Sequence, residues 1–426
     1  MTTEMPQNTT IAVIGLGYVG LPLAVAIARH FPTIGFDIAS ERVGELKRGI
    51  DRTGEVEASA LRASTIRLTS DAADIAGADV HIVTVPTPVD LENRPDLGPV
   101  MKACATVGKA LKKGAVVVFE STVYPGVTED LCGPELEKHS GLKCGVEFFL
   151  GYSPERINPG DKEHTVERIT KVVAGQNPEV TGLLSRVYGR VTSGGIFPAA
   201  SIRVAEAAKV IENAQRDINI AFVNEITMIF QRLGISIYDV LEASATKWNF
   251  LNFKPGLVGG HCIGVDPFYL ATCALSNGHH PEVILAGRRI NDGMGPWIAA
   301  RIAEQLPPSA RVLMLGLTFK ENVPDLRNSK VVDVVRGLEL RGHKVDVHDP
   351  FADITEADEE YGVQLLRSLD GAGGYDCLVG AVPHAPYRAF TGETFQSLLK
   401  PDGLVADVKG MWREVDLPAG FRLWRL

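Results

Sequence analysis

Cysteine is scarce and unpaired in this chain: six residues, at 104, 132, 144, 262, 273 and 377, form no C-x-x-C pair and show no regular spacing. That argues against a zinc site or a disulfide framework. Long apolar runs are also missing. Only Ile11 to Ala28 goes uncharged for long enough to raise the question of a membrane span or an export signal, and Gly15, Gly17, Gly20 and Pro22 interrupt it. No basic region precedes that stretch and no small-residue cleavage pattern follows it, so the cytoplasm is the expected location. Positive charge is short as well. With 43 Lys and Arg against 52 Asp and Glu, the net charge is -9, which argues against nonspecific nucleic-acid binding and requires any nucleotide ligand to find a locally basic pocket. What remains is an ordinary globular composition, 45% hydrophobic and 22% charged over 426 residues, long enough for two or three domains.

Short apolar runs alternate with helical stretches in the first part: Ile11 to Gly15, Thr33 to Asp37, Val80 to Val85, Ala115 to Glu120 and Phe148 to Tyr152 read as buried strands. This is the rhythm of a doubly wound parallel sheet. Ser201 to Leu233 reads as one long helix, and helical sequence continues to about Leu306, where Pro307-Pro308 breaks it. The first rhythm then returns with Arg311 to Leu317, Lys344 to His348, Cys377 to Val382 and Leu404 to Val408. Its punctuation returns too, in the same order: Gly15-Leu16-Gly17 is echoed by Gly316-Leu317-Thr318, Asp37 by Asp349, Val85-Pro86-Thr87-Pro88 by Val382 to Pro386, and Glu120-Ser121-Thr122 by Asp407-Val408-Lys409. The expected fold is therefore α/β, with two Rossmann-like domains, 1–200 and 307–426, flanking a helical region, 201–306, that carries the long helix.

Gly15-x-Gly17-x-x-Gly20 falls between an expected strand and an expected helix, and Asp37 ends the next strand. Glycines there allow a tight turn and close approach of a pyrophosphate to the helix N-terminus. Asp37 can accept both ribose hydroxyls and would repel a 2'-phosphate, which favours NAD over NADP. S-adenosylmethionine proteins share these features, so a methyltransferase stays open. On the long helix Glu206, Lys209, Asn213 and Arg216 follow at spacings of three, four and three among mostly apolar residues. Lys209 can supply positive charge to a developing alkoxide and Asn213 a fixed hydrogen bond.

Gly259-Gly260-His261-Cys262-Ile263-Gly264-Val265-Asp266-Pro267 holds one cysteine in a glycine-pinched turn with a carboxylate four residues on. A free cysteine is usually a small buried hydrophobe, but this setting suits a presented thiolate nucleophile. In the last domain Lys320 and Arg327 lie in the loop after a strand end, where they suit a diphosphate.

These motifs together resemble the UDP-glucose/GDP-mannose dehydrogenase family over nearly the full length. The resemblance rests on Gly15 to Gly20, Val85 to Pro88, Glu120-Ser121-Thr122, Ser153-Pro154-Glu155-Arg156, the Glu206/Lys209/Asn213 helix, Gly259 to Asp266 and Gly316 to Ser329. His261, the Ile263 to Pro267 run and Thr246 to Leu251 are similar to the branch acting on UDP-N-acetylhexosamines, UDP-GlcNAc or UDP-GalNAc. UDP-N-acetylmannosamine and UDP-glucose are the rival sugars.

The resemblance implies an enzyme of polysaccharide biosynthesis that oxidises a sugar C6 alcohol to the acid, with NAD as cofactor and no metal. A water held by Thr122 and Asp266, or Lys209 itself, takes the hydroxyl proton. Cys262 attacks the aldehyde, and a thiohemiacetal passes to a thioester that water releases. It also implies cofactor contacts from Gly15, Gly17, Tyr18, Val19, Gly20, Asp37, Arg42, Thr87 and Thr122. Glu155, Arg156, Ile157, Lys209, Asn213, Arg216, Lys254, Gly259, Lys320 and Arg327 bind the UDP-sugar, and Glu155 belongs with the catalytic group. A homodimer is expected, Lys254 standing where the subgroup commonly has an arginine that reaches across the interface. A two-electron dehydrogenase without covalent chemistry and a nonenzymatic nucleotide sensor are the alternatives from other classes.

Overall fold

The computed structural model describes residues 9–90, 92–157, 163, 165–260 and 263–426. His261 and Cys262 lie outside the described residues. Packing divides the chain into two units, Met1–Glu212 with Phe268–His279 and Asn213–Pro267 with His280–Leu426.

In the first unit the expected strands form as β1 (Ile11–Ile14), β2 (Thr33–Phe36), β4 (Val80–Val83), β5 (Val116–Phe119) and β6 (Phe149–Tyr152), joined by β3 (Arg67–Thr69), β7 (Lys171–Gly175) and β8 (Ile196–Pro198). The order is β3-β2-β1-β4-β5-β6-β7-β8, parallel except where β7 runs against β6. Every residue of β1, β4 and β5 is buried. A parallel sheet covered on both faces selects such continuous Val and Ile runs. β1 pairs with β2 on one side and β4 on the other, so the loops after β1 and β4 flank the point where the winding reverses, the usual ligand crevice of such sheets.

The second unit repeats the plan with β9 (Arg311–Leu315), β10 (Lys344–His348), β11 (Leu365–Leu366), β12 (Tyr375–Gly380), β13 (Leu399–Asp407) and β14 (Arg422–Arg425). The order β11-β10-β9-β12-β13-β14 again puts the reversal beside its first strand, β9. The sequence echo has a structural counterpart. Gly15 and Gly316 share φ +96°, a conformation open to glycine at little cost. Asp37 Oδ2 accepts Leu16 N–H at 2.8 Å, and Asp349 Oδ2 accepts Leu317 N–H at 2.6 Å and Thr318 N–H at 2.9 Å. In both places the acid ending the second strand ties down the turn after the first.

The long helix runs Ile202–Leu233, about 48 Å at 1.5 Å per residue. Sequence reading extends helix through the middle region, and there the structure differs. Ile237–Ala245, Asp266–Ser276 and Glu282–Ala303 are helical, but 246–265 hold no helix or strand among the described residues. Pro255 and four glycines, at 256, 259, 260 and 264, make helix costly over that span. Among the described residues no helix is long and apolar enough to cross a membrane.

Candidate active site

The glycine loop of the first unit is built for close approach. A Cβ on Gly15 would lie 3.3 Å from the Thr84 backbone and one on Gly20 would lie 1.8 Å from the Gly15 carbonyl, whereas one on Gly17 would meet nothing within 4 Å. The first and third glycines are thus demanded by packing, and the second leaves main chain open to a ligand. Thr84 Oγ1 donates to the Gly15 carbonyl at 2.8 Å. Tyr18 and Val19, half-buried, lead into the helix Gly20–Ala28. Asp37 is half-exposed, with Oδ2 on Leu16 N–H and Oδ1 on Ala39 N–H. Each carboxylate oxygen keeps a further lone pair for ribose hydroxyls. An open Gly17, a helix start and this acid fit a dinucleotide.

Arg42 works on the loop. Its side chain is buried, Nε and Nη2 donate to the Leu16 carbonyl at 3.1 and 3.0 Å, and Nη2 also reaches Asp51 at 2.7 Å. Thr87 is buried, and Thr122 is half-exposed just after β5. The turns that carry them are tied together, since Ser121 Oγ donates to the Val85 carbonyl at 2.6 Å, and Tyr269 separately donates to the Pro88 carbonyl at 2.9 Å. Glu206 explains its place on the long helix by accepting Gly126 N–H at 2.6 Å and Thr128 N–H at 3.0 Å, which closes the turn after Thr122. Lys209 follows one turn later and is buried.

Glu155 is buried and doubly engaged. Oε2 pairs with Lys171 at 2.9 Å, and Oε1 accepts Arg156 N–H at 2.6 Å and Ile157 N–H at 2.7 Å. Arg156 sits on Glu212, Nη2 at 2.7 Å from Oε1 and Nε at 3.2 Å from Oε2.

In the second unit Asn213 Nδ2 donates to Asp266 Oδ2 at 2.5 Å, both side chains buried. The sequence stripe expects Arg216 next along this face. Arg216 is exposed instead, and Asp217 continues the buried row, paired with Arg288 at 2.7 Å. Lys254 is exposed. Gly260, the described residue before His261 and Cys262, is pinned to Asn328. Gly260 N–H donates to the Asn328 carbonyl and Asn328 Nδ2 to the Gly260 carbonyl, both at 3.3 Å. A Cβ on Gly259 would lie 2.5 Å from the Asn328 carbonyl, on Gly260 2.7 Å from the Phe319 ring and on Gly264 2.7 Å from Asn328 Nδ2. Glycine is therefore the residue that lets these positions seat against the 319–328 loop.

Beside it opens a cleft lined by Leu257, Phe319, Lys320, Lys330, Val382 and Lys409. Arg327 pairs with Asp325, its Nε and Nη2 on the two carboxylate oxygens at 3.0 and 2.6 Å. Sequence reading assigns no role to Lys409, although its place in the Asp407-Val408-Lys409 echo was a signal. Burial lowers its ammonium from the usual value, against the Glu321 charge. A Cβ on Gly256 would lie 2.5 Å from its Nζ, so that glycine makes room for the lysine. An aromatic ring, apolar walls and lysines at a strand-end crevice suit a nucleotide base with an anionic tail. Among the described residues no His, Cys, Asp and Glu cluster is placed to hold a metal ion.

Known proteins agree with this division of labour. The profile of the UDP-glucose/GDP-mannose dehydrogenase family NAD binding domain matches residues 9–192, that of its central domain 203–293 and that of its UDP binding domain 313–414. A UDP-N-acetyl-D-glucosamine 6-dehydrogenase of Pseudomonas aeruginosa is 51% identical over 95% of this chain and 97% of its own, and one of Salmonella typhi is 46% identical over 95% and 96%. A solved UDP-D-ManNAc dehydrogenase of Pyrococcus horikoshii superposes with TM-score 0.87 at 29% identity, covering 98% of both chains. The chain therefore belongs to the UDP-glucose/GDP-mannose dehydrogenase family and is an NAD-dependent nucleotide-sugar dehydrogenase.

Proposed function

We propose that the substrate is a UDP-N-acetylhexosamine, UDP-GlcNAc ahead of UDP-GalNAc, and that its C6 hydroxyl is carried to the uronic acid through a covalent adduct on Cys262. What carries the choice of sugar is the contrast in identity: 51% and 46% with two UDP-N-acetyl-D-glucosamine 6-dehydrogenases against 29% with a UDP-D-ManNAc dehydrogenase of the same fold. The test is a panel of UDP-GlcNAc, UDP-GalNAc, UDP-ManNAc and UDP-glucose, each followed by NADH release. UDP-GlcNAc is expected to give the highest kcat/KM, by about tenfold or more over UDP-glucose, the discrimination one substituent supplies in a fitted pocket. Preference for UDP-glucose or UDP-ManNAc would reject the assignment.

The glycine loop and Asp37 hold NAD, which when bound accepts the hydride given up by C6 at each oxidation level. Lys209, or a water held by Thr122 and Asp266, takes the hydroxyl proton. The Cys262 thiolate adds to the aldehyde, making a C–S bond and an oxyanion, and after C6 is oxidised again the thioester is cleaved by water. Lys209 and Asn213 stabilise the oxyanions. The 2.5 Å Asn213–Asp266 hydrogen bond supports this reading, because it fixes the orientation of the amide next to the carboxylate that follows Cys262. In the second unit Lys320 and Lys409 take the diphosphate, and Phe319 offers its ring to the base.

The same chain carries a surface that supports the homodimer. Val204, Ile211, Phe222, Ile229 and Leu233 are exposed on the long helix, and their spacings of seven, eleven, seven and four are near whole numbers of turns, so they form one apolar stripe. A second copy covers it, and the exposed Lys254 is offered to the partner's substrate. Phe222→Glu combined with Ile229→Glu is expected to halve the mass measured by light scattering at micromolar concentration. An unchanged mass would contradict this interface.

A further inference from the structure

The first unit buries a cation at the start of a strand. Lys171 opens β7 with 1% of its side chain exposed, and a lone ammonium there would carry a heavy desolvation penalty. Carboxylates surround it: Nζ is 2.6 Å from Glu120 Oε2, 2.9 Å from Glu155 Oε2 and 3.5 Å from the Pro154 carbonyl. Tyr188 donates its hydroxyl to the other oxygen of Glu120 and sets its ring 5.4 Å from Lys171 Nζ. Glu155 uses its second oxygen differently. Oε1 takes the N–H groups of Arg156 and Ile157, so one carboxylate is anchored on a buried cation and grips the next two amides of the chain.

The two acids are not equivalent. Burial, with the Glu155 charge adding to it and Lys171 opposing, pushes Glu120 up to about 7. Burial also works against the Glu155 charge, but Lys171 and the two amides outweigh it and hold that carboxyl below its ordinary value. Glu155 thus stays ionised, the state in which Oε1 accepts both N–H groups. Apolar side chains fill a core at no such desolvation cost, so a charged triad here calls for a role in placing backbone. The segment it places continues into Arg156, whose guanidinium is fixed by Glu212, the residue before Asn213 on the long helix.

We propose that Lys171 is a positioning residue for nucleotide-sugar binding: its ammonium anchors the Glu155 carboxylate, and Glu155 sets the backbone at Arg156 and Ile157 that meets the substrate. The inference rests on the assignment of Glu155, Arg156 and Ile157 to the UDP-sugar. Without the lysine, Glu120 and Glu155 face each other across a dry interior, one of them must take up a proton, and the grip on the two amides is lost.

The experiment is Lys171→Met, with KM measured separately for the UDP-sugar and for NAD, and Lys171→Arg as the conservative partner. The UDP-sugar KM is expected to rise about tenfold or more, the scale on which small misplacements are felt, while the NAD KM stays within about twofold and Lys171→Arg recovers most of the loss. Should Lys171→Met fail to fold, the same ratio is read in Lys171→Met/Glu120→Gln, where the surplus buried carboxylate is gone. An unchanged UDP-sugar KM in a folded variant would overturn the proposal, as would both KM values rising in step or neither variant folding. Absence of any UDP-sugar turnover by the unaltered enzyme is a separate outcome, and it would strike the functional assignment itself.

Discussion

Cys262→Ser is expected to form no measurable uronic acid, a loss of at least about 10³-fold, because a serine hydroxyl is a far weaker nucleophile than a thiolate. At most, slow first-step chemistry remains, with aldehyde as its product. The substitution is conservative in size. Gly259, Gly260 and Gly264 are seated against Phe319 and Asn328 on either side of it, and serine differs from cysteine by one atom. The melting temperature is therefore expected to stay within a few degrees, which calorimetry checks, so lost activity reads on chemistry. Acid production undiminished by the change would exclude the thioester route.

The second large effect falls on Asp266. Its carboxylate is buried, accepts the Asn213 amide at 2.5 Å and stands in the first turn of the helix Asp266–Ser276, where negative charge is favoured by the helix dipole. Asp266→Asn keeps the shape and removes the charge. The Asn213 amide then faces another amide and can turn its carbonyl toward it, so the donor proposed for the oxyanion would lose its fixed orientation. The expected result is a kcat lower by about 10²- to 10³-fold, the range for losing a positioned proton carrier or oxyanion donor, with the UDP-sugar KM little changed. A kcat within about threefold of the original would remove Asp266 and its partner from the reaction.

Much of this was legible in the sequence because the decisive patterns are local. Continuous runs such as Val116 to Phe119 announce strands buried on both faces, and Gly15 and Gly316 announce turns that need positive φ. The domain echo could be read for the same reason, with Asp37 and Asp349 each tying the turn after the first strand. Sequence order hides what depends on sheet order. Glu120 and Glu155 follow the ends of β5 and β6 and Lys171 begins β7, so only the sheet brings both carboxylates within 3 Å of the Lys171 ammonium. β7 itself is a five-residue run opening on a charge, a weak strand signal until that charge is seen to be paired. Arg42 could be placed near the cofactor loop, but not its inward hold on the Leu16 carbonyl. Lys409 is marked in the sequence only by the Asp407-Val408-Lys409 echo, and its role is visible once it is seen lining the cleft in the space that Gly256 leaves.

We propose that one active site takes the sugar carbon through two oxidations without releasing the aldehyde, and counting NADH against uronic acid decides this. With the preferred UDP-sugar limiting, two NADH per acid are expected from the first turnovers onward, with no aldehyde caught by an added trapping amine. One NADH per sugar, with aldehyde accumulating, would contradict it.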